Sequence, residues 1–234
     1  MERVAFDLLR NMEHSWWYSA RAVALKRAML RAPRIPERIL DYGAGWGAMH
    51  DLLQGMGKEV YAYEPDTEAR AVCMKRGYRE VFATEAEALA LTYDCISLLD
   101  VLEHIEDDAG FLARAKNSLA PGGLLLISVP AFQFLWSVHD VEHQHFRRYT
   151  TRLLKERFRA NGYTTRFASH WNMILFFPAA LMRLMGKTGE SALGLPKLLD
   201  SLFFFATWVE SLLMYIVPLP FGTGIVALAQ KSEV

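Results

Sequence analysis

Strand-length apolar runs alternating with helical stretches over residues 38–130 predict an α/β chain built on a doubly wound parallel sheet. Three observations carry this. Apolar runs recur at Arg38–Tyr42, Glu59–Glu64, Asp94–Leu99 and Leu124–Val129. Continuous apolar runs suit strands buried on both faces, and the stretches between them suit crossover helices. The first run ends in a glycine-rich turn, Asp41-Tyr42-Gly43-Ala44-Gly45-Trp46-Gly47-Ala48, at the strand-to-helix junction where such sheets bind ligands.

The elements follow in order. Residues 4–31 read as helix, with Val4, Leu8, Leu9, Met12, Val23, Leu25, Met29 and Leu30 at roughly helical spacing. Pro33 and Pro36 punctuate it. Gly47–Met56 follows the first strand as a helix, and Glu68–Arg76, closed by Gly77, follows the second. Glu80–Ala83 is a short third strand. Ala109–Leu119 is a helix stopped by Pro121-Gly122-Gly123. Thr150 N-caps a helix that runs to Ala160 and stops at Gly162. Tyr163–Trp171 and Gly224–Gln230 are two further strands, separated by a segment rich in Phe, Leu and Met.

The 234 residues suit one domain with an elaboration. Lys and Arg total 26 against 26 Asp and Glu, so no global field recommends nucleic acid as a partner. Cys95 falls in a core strand, which leaves Cys73 without a disulfide framework; a reducing, cytoplasmic compartment is expected. The first residues carry Asp7, Arg10 and Glu13 and do not read as a secretory signal.

Gly43, Gly45 and Ala48 satisfy the dinucleotide fingerprint, so glycines alone do not separate a nicotinamide enzyme from other nucleoside-binding sheets. Two acids sharpen the reading. Asp41 precedes the glycines, where a carboxylate pairs with a cationic group and repels a pyrophosphate. Glu64 closes the second strand, where an acid accepts ribose hydroxyls.

The set Asp41–Gly47, Tyr63-Glu64-Pro65-Asp66, Tyr93–Ile105 and Leu119-Ala120-Pro121-Gly122-Gly123 resembles, in order and spacing, the class I S-adenosylmethionine-dependent methyltransferases. The resemblance spans about residues 38–130. It implies a Rossmann-like doubly wound seven-stranded sheet, mostly parallel with an antiparallel last strand, and a helical insertion between the last two strands. It implies S-adenosylmethionine as cofactor, with Asp41, Gly43, Gly45 and Gly47 at its methionine end and Glu64 and Pro65 at its ribose. Ala83 and Thr84 would lie near the adenine, and Asp100, Val101, Leu102 and His104 would floor the site. This sequence departs from the family at Thr84, where an acid is common.

The densest polar cluster runs from Trp136 to Tyr149. Methyl transfer requires an oriented acceptor and, for some acceptors, a base. A histidine with a near-neutral pKa suits that task. His139 with Asp140, or His143, is the candidate. Two rivals stay open. One is metal binding by His139-x-x-x-His143; the stretch has no clear helical period, and no metal is assigned. The other is a loop pinned by Asp and His hydrogen bonds, with Arg147 and Arg148 paired to carboxylates. The segment resembles a signature of a bacterial methyltransferase subset, S-x-H-D followed by H-x-R-R-Y. His14-Ser15-Trp16-Trp17-Tyr18 with Arg21 resembles another element of that subset, a lid. Trp17, Tyr18, Arg147, Arg148 and Tyr149 are the expected acceptor contacts. Arg147, Arg148, Arg152, Lys155, Arg157 and Arg159, against Glu156 alone, make either a solvated face or a basic surface for an anionic partner.

Met173–Met185 is apolar except for Arg183 and is bent by Pro178. Leu202–Val217 is apolar except for Thr207, Glu210 and Ser211. A spanning helix wants about 20 apolar residues, so the first segment is too short and the second carries Glu210 at its centre. Membrane-surface attachment or a collar around a lipid-like acceptor, core packing with a homodimer interface, and a transmembrane hairpin are the readings.

The expected organisation is a helical lid over 1–36, a core over 37–171, the apolar insertion over 172–220 and the final strand over 221–234. The expected activity is methyl transfer to an O, N or C nucleophile of a small, hydrophobic or lipid-linked acceptor. A nicotinamide-dependent oxidoreductase and a non-catalytic scaffold are the alternatives.

Overall fold

The computed structural model describes residues 16–184 and 197–232. Seven strands form one sheet in the order β3-β2-β1-β4-β5-β7-β6. They are β1 (Arg38–Tyr42), β2 (Glu59–Tyr63), β3 (Val81–Phe82), β4 (Tyr93–Leu99), β5 (Leu119–Pro130), β6 (Tyr163–Trp171) and β7 (Gly224–Lys231). β1 pairs in parallel with β2 and β4, and β4 with β5. β7 runs antiparallel to both β5 and β6 and lies between them. The expected sheet and the antiparallel last strand are therefore present.

The helices are α1 (Trp16–Met29), α2 (His50–Gln54), α3 (Thr67–Cys73), α4 (Glu85–Leu89), α5 (Asp108–Asn117), α6 (Val138–Glu142), α7 (Thr151–Ala160), α8 (Phe176–Leu184) and α9 (Lys197–Ile216). They split between the two faces. Phe111, Leu112, Ala115, Leu154 and Phe158 of α5 and α7 pack under one face with Leu98, Leu125 and Ala227. Trp16, Leu25, Leu53, Cys73 and Met214 of α1, α2, α3 and α9 pack under the other with Cys95, Leu126 and Val226. Apolar residues on both sides of β4, β5 and β7 explain their unbroken apolar sequences.

Local chemistry fixes the ends. Asp66 accepts from the backbone of Glu68 and Ala69 at the start of α3, and Thr150 accepts from Leu153 at the start of α7. Two boundaries differ from expectation. The glycine turn extends to Met49, so α2 has five residues rather than ten. β5 begins at Leu119, five residues early: Tyr93 pairs with Leu119 and Cys95 with Leu124, and Pro121-Gly122-Gly123 forms the bulge between them.

The lid expected of residues 1–36 is, over 16–29, a layer of the sandwich. Trp16, Ala20, Ala24, Leu25 and Ala28 are buried against the sheet and α9. His14, Ser15 and the earlier part of the expected helix lie outside the described residues.

The insertion leaves the sheet at Trp171, on the edge where β1, β4 and β5 also end. Its long helix α9 turns its polar residues inward. Thr207, Glu210 and Ser211 are buried, while Leu202, Phe205, Trp208, Val209, Leu212, Leu213 and Ile216 are exposed. Glu210 accepts hydrogen bonds from the backbone N–H groups of Met173 at 2.7 Å and Ile174 at 3.2 Å. It anchors the helix to the chain leaving β6. No helix among the described residues is long and apolar enough to cross a membrane.

Candidate functional site

The ends of β1, β2 and β4 bring three carboxylates together. Asp41 is buried and accepts from Tyr78 Oη at 2.8 Å and Ser97 Oγ at 3.1 Å. Burial raises its pKa against those hydrogen bonds and the nearby Arg21 charge. With both oxygens engaged, Asp41 braces the turn from beneath. Glu64 is buried at the end of β2; it accepts from Gly45 N at 2.7 Å and Asp66 N at 2.9 Å, and burial raises its pKa too. A carboxylate has about four acceptor sites, so lone pairs remain for ribose hydroxyls.

The glycine turn is shaped for close approach. Gly43, Gly45 and Gly47 all have positive φ. A Cβ on Gly43 would meet Val101 Cγ2 at 2.8 Å, whereas one on Gly45 would project into open space. Gly43 N and Ala44 N donate to Tyr63 O at 2.9 and 3.0 Å, and Gly45 N to Glu64. Three consecutive amides are thus committed to protein acceptors, one of them a carboxylate. A pyrophosphate cradle needs such amides free and no carboxylate among them. An adenosyl sulfonium needs a carboxylate-lined nucleoside slot, and the open space at Gly45 beside Glu64 fits it.

Asp100 follows β4 with φ 59°, a conformation non-glycine residues hold at a cost. Ser128 Oγ donates to it at 2.9 Å, and Arg21 of α1 forms an ion pair with it. Arg21 is buried, its guanidinium 4.7 Å from the Trp17 ring centre and 4.9 Å from that of Tyr18. Trp17 and Tyr18 thereby hold a cation that faces the acidic floor. Val101 and Leu102 pack beneath Asp100, and Leu102–His104 forms a single 3-10 turn. Pro65, Ala83 and Thr84 are exposed at the ends of β2 and β3. Thr84 N-caps α4 in a capping box with Glu87, which is the structural use of a hydroxyl at the position where the family commonly has an acid. A groove of about 300 Å3 between α1 and α2, lined by Tyr18, Ala22, Lys26, Met49 and Asp51, holds none of the strand-end carboxylates.

The histidine segment folds over the edge next to Asp100. α6 gives it the helical turn that the sequence did not reveal, and the His139 and His143 rings stand 4.0 Å apart. Asp140 is tied into the loop that follows α6. It is fully buried and receives Arg148 through Nε at 2.7 Å and Nη2 at 2.9 Å, Ser137 N at 2.8 Å and His145 Nδ1 at 2.9 Å. Burial would raise its pKa, but these hydrogen bonds and the Arg148 charge hold it well below the carboxylate range. Asp140 thus orients His145, the first residue of the H-x-R-R-Y segment, which was not among the expected site residues. His143 is half-buried with Nδ1 2.9 Å from the His139 carbonyl; as the donor there, it leaves Nε2 as the lone pair.

The arginines correct another expectation. Arg148 is committed to Asp140, Arg147 pairs with Asp108 at 3.0 Å, and Tyr149 is fully buried with its hydroxyl on Asp108 at 3.0 Å. Arg148 and Tyr149 are posts of the loop, with no face for an acceptor. Arg157 also pairs with Asp108, and Arg152 with Glu156, so most of the expected basic surface is internally neutralised. The walls that do open beside the segment are aromatic. Phe132 stacks on His170 at 4.8 Å, and Phe176 of α8 meets Phe132 at 5.6 Å and Phe221 at 5.1 Å. Phe134, Val138, Val141 and Phe146 are exposed around them.

The family model described as a methyltransferase domain matches residues 16–166. A ubiquinone biosynthesis O-methyltransferase of Burkholderia ambifaria is 25% identical over 136 residues, covering 50% of this chain and 59% of the relative. One of Rhizobium etli is 30% identical over 108 residues, covering 42% of this chain and 44% of the relative. The matched region thus spans about half the length of these relatives. Among solved structures, the N-methyltransferase NodS of Bradyrhizobium japonicum, in complex with S-adenosylhomocysteine, superposes with TM-score 0.60 at 16% identity over 95% of this chain and 91% of that one. A SAM-dependent methyltransferase of Archaeoglobus fulgidus gives 0.59 at 16% identity, covering 92% and 93%. At that identity the likeness shows a shared fold.

Proposed function

The chain belongs to the methyltransferase-domain family, and from that premise we propose that it moves a methyl group from S-adenosylmethionine to a hydroxyl of a hydrophobic, lipid-tailed acceptor. The observation that carries the cofactor is the turn at Gly43–Gly45. Its amides are spent on Tyr63 and Glu64, and Asp41, Glu64 and Asp100 surround it. Such a site attracts a sulfonium nucleoside and repels the pyrophosphate of a nicotinamide cofactor.

When bound, the cofactor supplies an electrophilic methyl on sulfur. The protein's residues do the rest. Glu64 accepts the ribose hydroxyls beside Pro65. Gly45 permits close approach, with Asp41 and Gly47 bracing the turn. Asp100, Val101, Leu102 and His104 form the floor, and Ala83 and Thr84 flank the base. Arg21, held by Trp17 and Tyr18, balances the acidic floor. His143 takes the acceptor proton at Nε2, with His139 behind it. Phe132, Phe134 and Phe176 wall the acceptor side. The relatives' names support an oxygen acceptor on a ring with a lipid tail. The outward apolar face of α9 supports a lipid surface as the place where that acceptor is met.

The test is a thermal-shift titration with S-adenosylmethionine, S-adenosylhomocysteine and NADH. A ligand of the folded state at a hundredfold its Kd adds roughly 2.7 kcal/mol. Stabilisation by both adenosyl ligands and not by NADH is the expected result. Stabilisation by NADH alone would return the chain to the oxidoreductase reading, and no shift at all to a scaffold.

A further inference from the structure

A buried carboxyl oxygen lies without a partner beside two histidines. Glu103 is 1% exposed, and its Oε2 makes no hydrogen bond to any described residue. Glu103, His104 and His145 each bring a potential ligand atom within 4.8 Å of the others. The two rings meet edge-on with centres 4.6 Å apart. The 3-10 turn after β4 and the loop after α6 are latched together here, Phe146 N donating to Glu103 O at 2.8 Å.

The nitrogens on the far side of the rings are already occupied. His145 Nδ1 lies 2.9 Å from Asp140 Oδ1, and Asp140, fixed by Arg148 and Ser137, has no proton to give. His145 Nδ1 is therefore the donor, and Nε2 carries the lone pair. The His104 ring makes a hydrogen bond with the backbone of His143. A histidine whose second nitrogen is tied to a carboxylate or carbonyl is how proteins orient imidazole toward a metal. A hydrogen-bonded cluster with no ion would leave Glu103 a buried acid with one oxygen unserved.

We propose that Glu103, His104 and His145 form a binding site for one divalent transition-metal ion, with Asp140 positioning His145. Two imidazoles and one carboxylate suit Zn2+ and the neighbouring ions Mn2+, Fe2+ and Co2+. Bonds of about 2.1 Å in a tetrahedral site set ligand atoms about 3.4 Å apart, so a donor pair at the 4.8 Å limit closes by about 1.4 Å, within reach of side-chain rotation. Three protein ligands leave a coordination position open. Binding of the ion stands independently of the proposed function; its use rests on it. On the methyl-transfer reading the open position takes the acceptor oxygen and lowers the pKa of its hydroxyl.

The experiment uses the untagged full chain, stripped with a chelator and dialysed, with no cofactor or acceptor present. It is titrated with Co2+, read by its visible ligand-field bands, and then with Zn2+ in competition. The expected result is one ion per chain with the bands of a low-coordinate nitrogen–oxygen site. His104→Ala and His145→Ala weaken binding at least tenfold, and Asp140→Asn weakens it by roughly tenfold or more through the orientation of His145. His139→Ala and His143→Ala leave it unchanged. His104 is exposed, so its variant tests the site without risking the fold. Absence of a stoichiometric ion overturns the proposal, as does binding that survives His104→Ala and His145→Ala or is lost only in the His139 and His143 variants. Because the adenosyl thermal shift is measured separately, failure of the metal site and failure of the methyltransferase reading are distinguishable.

Discussion

Single residues divide between those that leave room and those that hold it open. Gly45 leaves room: its φ is positive and nothing stands where a Cβ would go. Gly45→Ala is expected to cost about 1 kcal/mol of stability for the left-handed backbone. The added methyl occupies the approach to the cofactor, so the S-adenosylhomocysteine Kd measured by calorimetry is expected to rise at least tenfold. A variant that binds normally sinks the assignment of the turn. Asp140 holds room open. Asp140→Ala strands Arg148 in the interior and is expected to cost about 3–5 kcal/mol in denaturant melts. A loss under about 1 kcal/mol would show the loop to be independent of that pair. The sequence disclosed both residues. What it hid was the partner: Asp140 stands next to His139 in the chain, but a helical turn and a left-handed Gln144 carry His145 round to it instead.

At the scale of elements, α9 is the unusual one. Glu210 faces the domain and satisfies two backbone N–H groups, so the helix has its polar stripe inside and its apolar stripe outside. Glu210→Leu removes both acceptors, with an expected loss of about 2 kcal/mol in chemical denaturation. Phe205→Glu and Leu212→Glu lie on the exposed face and are expected to leave the melting temperature within a degree or two while abolishing co-sedimentation with anionic liposomes. Unchanged sedimentation would remove the lipid surface from the proposed function. Strands were more legible than helices here. Continuous apolar runs such as Cys95–Leu99 have one solution in a two-sided sheet, whereas α2 was lost to the glycine turn and the start of β5 to a bulge. Turn and bulge are backbone devices, and hydrophobic periodicity does not register them. Thr207, Glu210 and Ser211 were visible as the polar exceptions in an apolar stretch, but which side they faced depended on the chain leaving β6.

For the whole molecule, charge and strain concentrate on one edge. The non-glycine residues with positive φ among those described are Asp100, Phe132, Gln144 and Asn172, which follow β4, β5 and β6 or sit in the histidine loop. Strain gathered at one edge is the signature of a working site. Buried carboxyls give that edge a pH dependence. Burial raises the pKa of Asp41, Glu64 and Glu210. A carboxyl raised in the folded state binds its proton more tightly there than in the unfolded chain, so its contribution to stability is present at low pH and lost as pH rises through the folded pKa. Asp140 is depressed and acts the other way, its contribution being lost as pH falls below about 4. Burial lowers the pKa of His104, to about 4, and of His170, so their contribution is lost as pH falls below about 6.5, against the raised carboxyls. The carboxyl part is isolated by Glu210→Gln, which is expected to raise the melting temperature relative to the unmodified chain more at pH 8 than at pH 5. A difference that is the same at both pH values would contradict the raised pKa of Glu210. The architecture as a whole and the acids of the charged edge were readable because local patterns and family spacing agree; the pairing of Arg21 with Asp100 was not, since the two lie far apart in the chain. The strand order carries one more consequence, for synthesis. β7 fills the gap between β5 and β6, yet it is made after both and after the apolar insertion. Until residues 224–231 leave the ribosome, the nascent chain holds a slot of unpaired backbone groups and the greasy helices α8 and α9 with no finished sheet to dock on. Such a chain completes its fold only after most of it has been translated, and its aggregation hazard peaks in that interval.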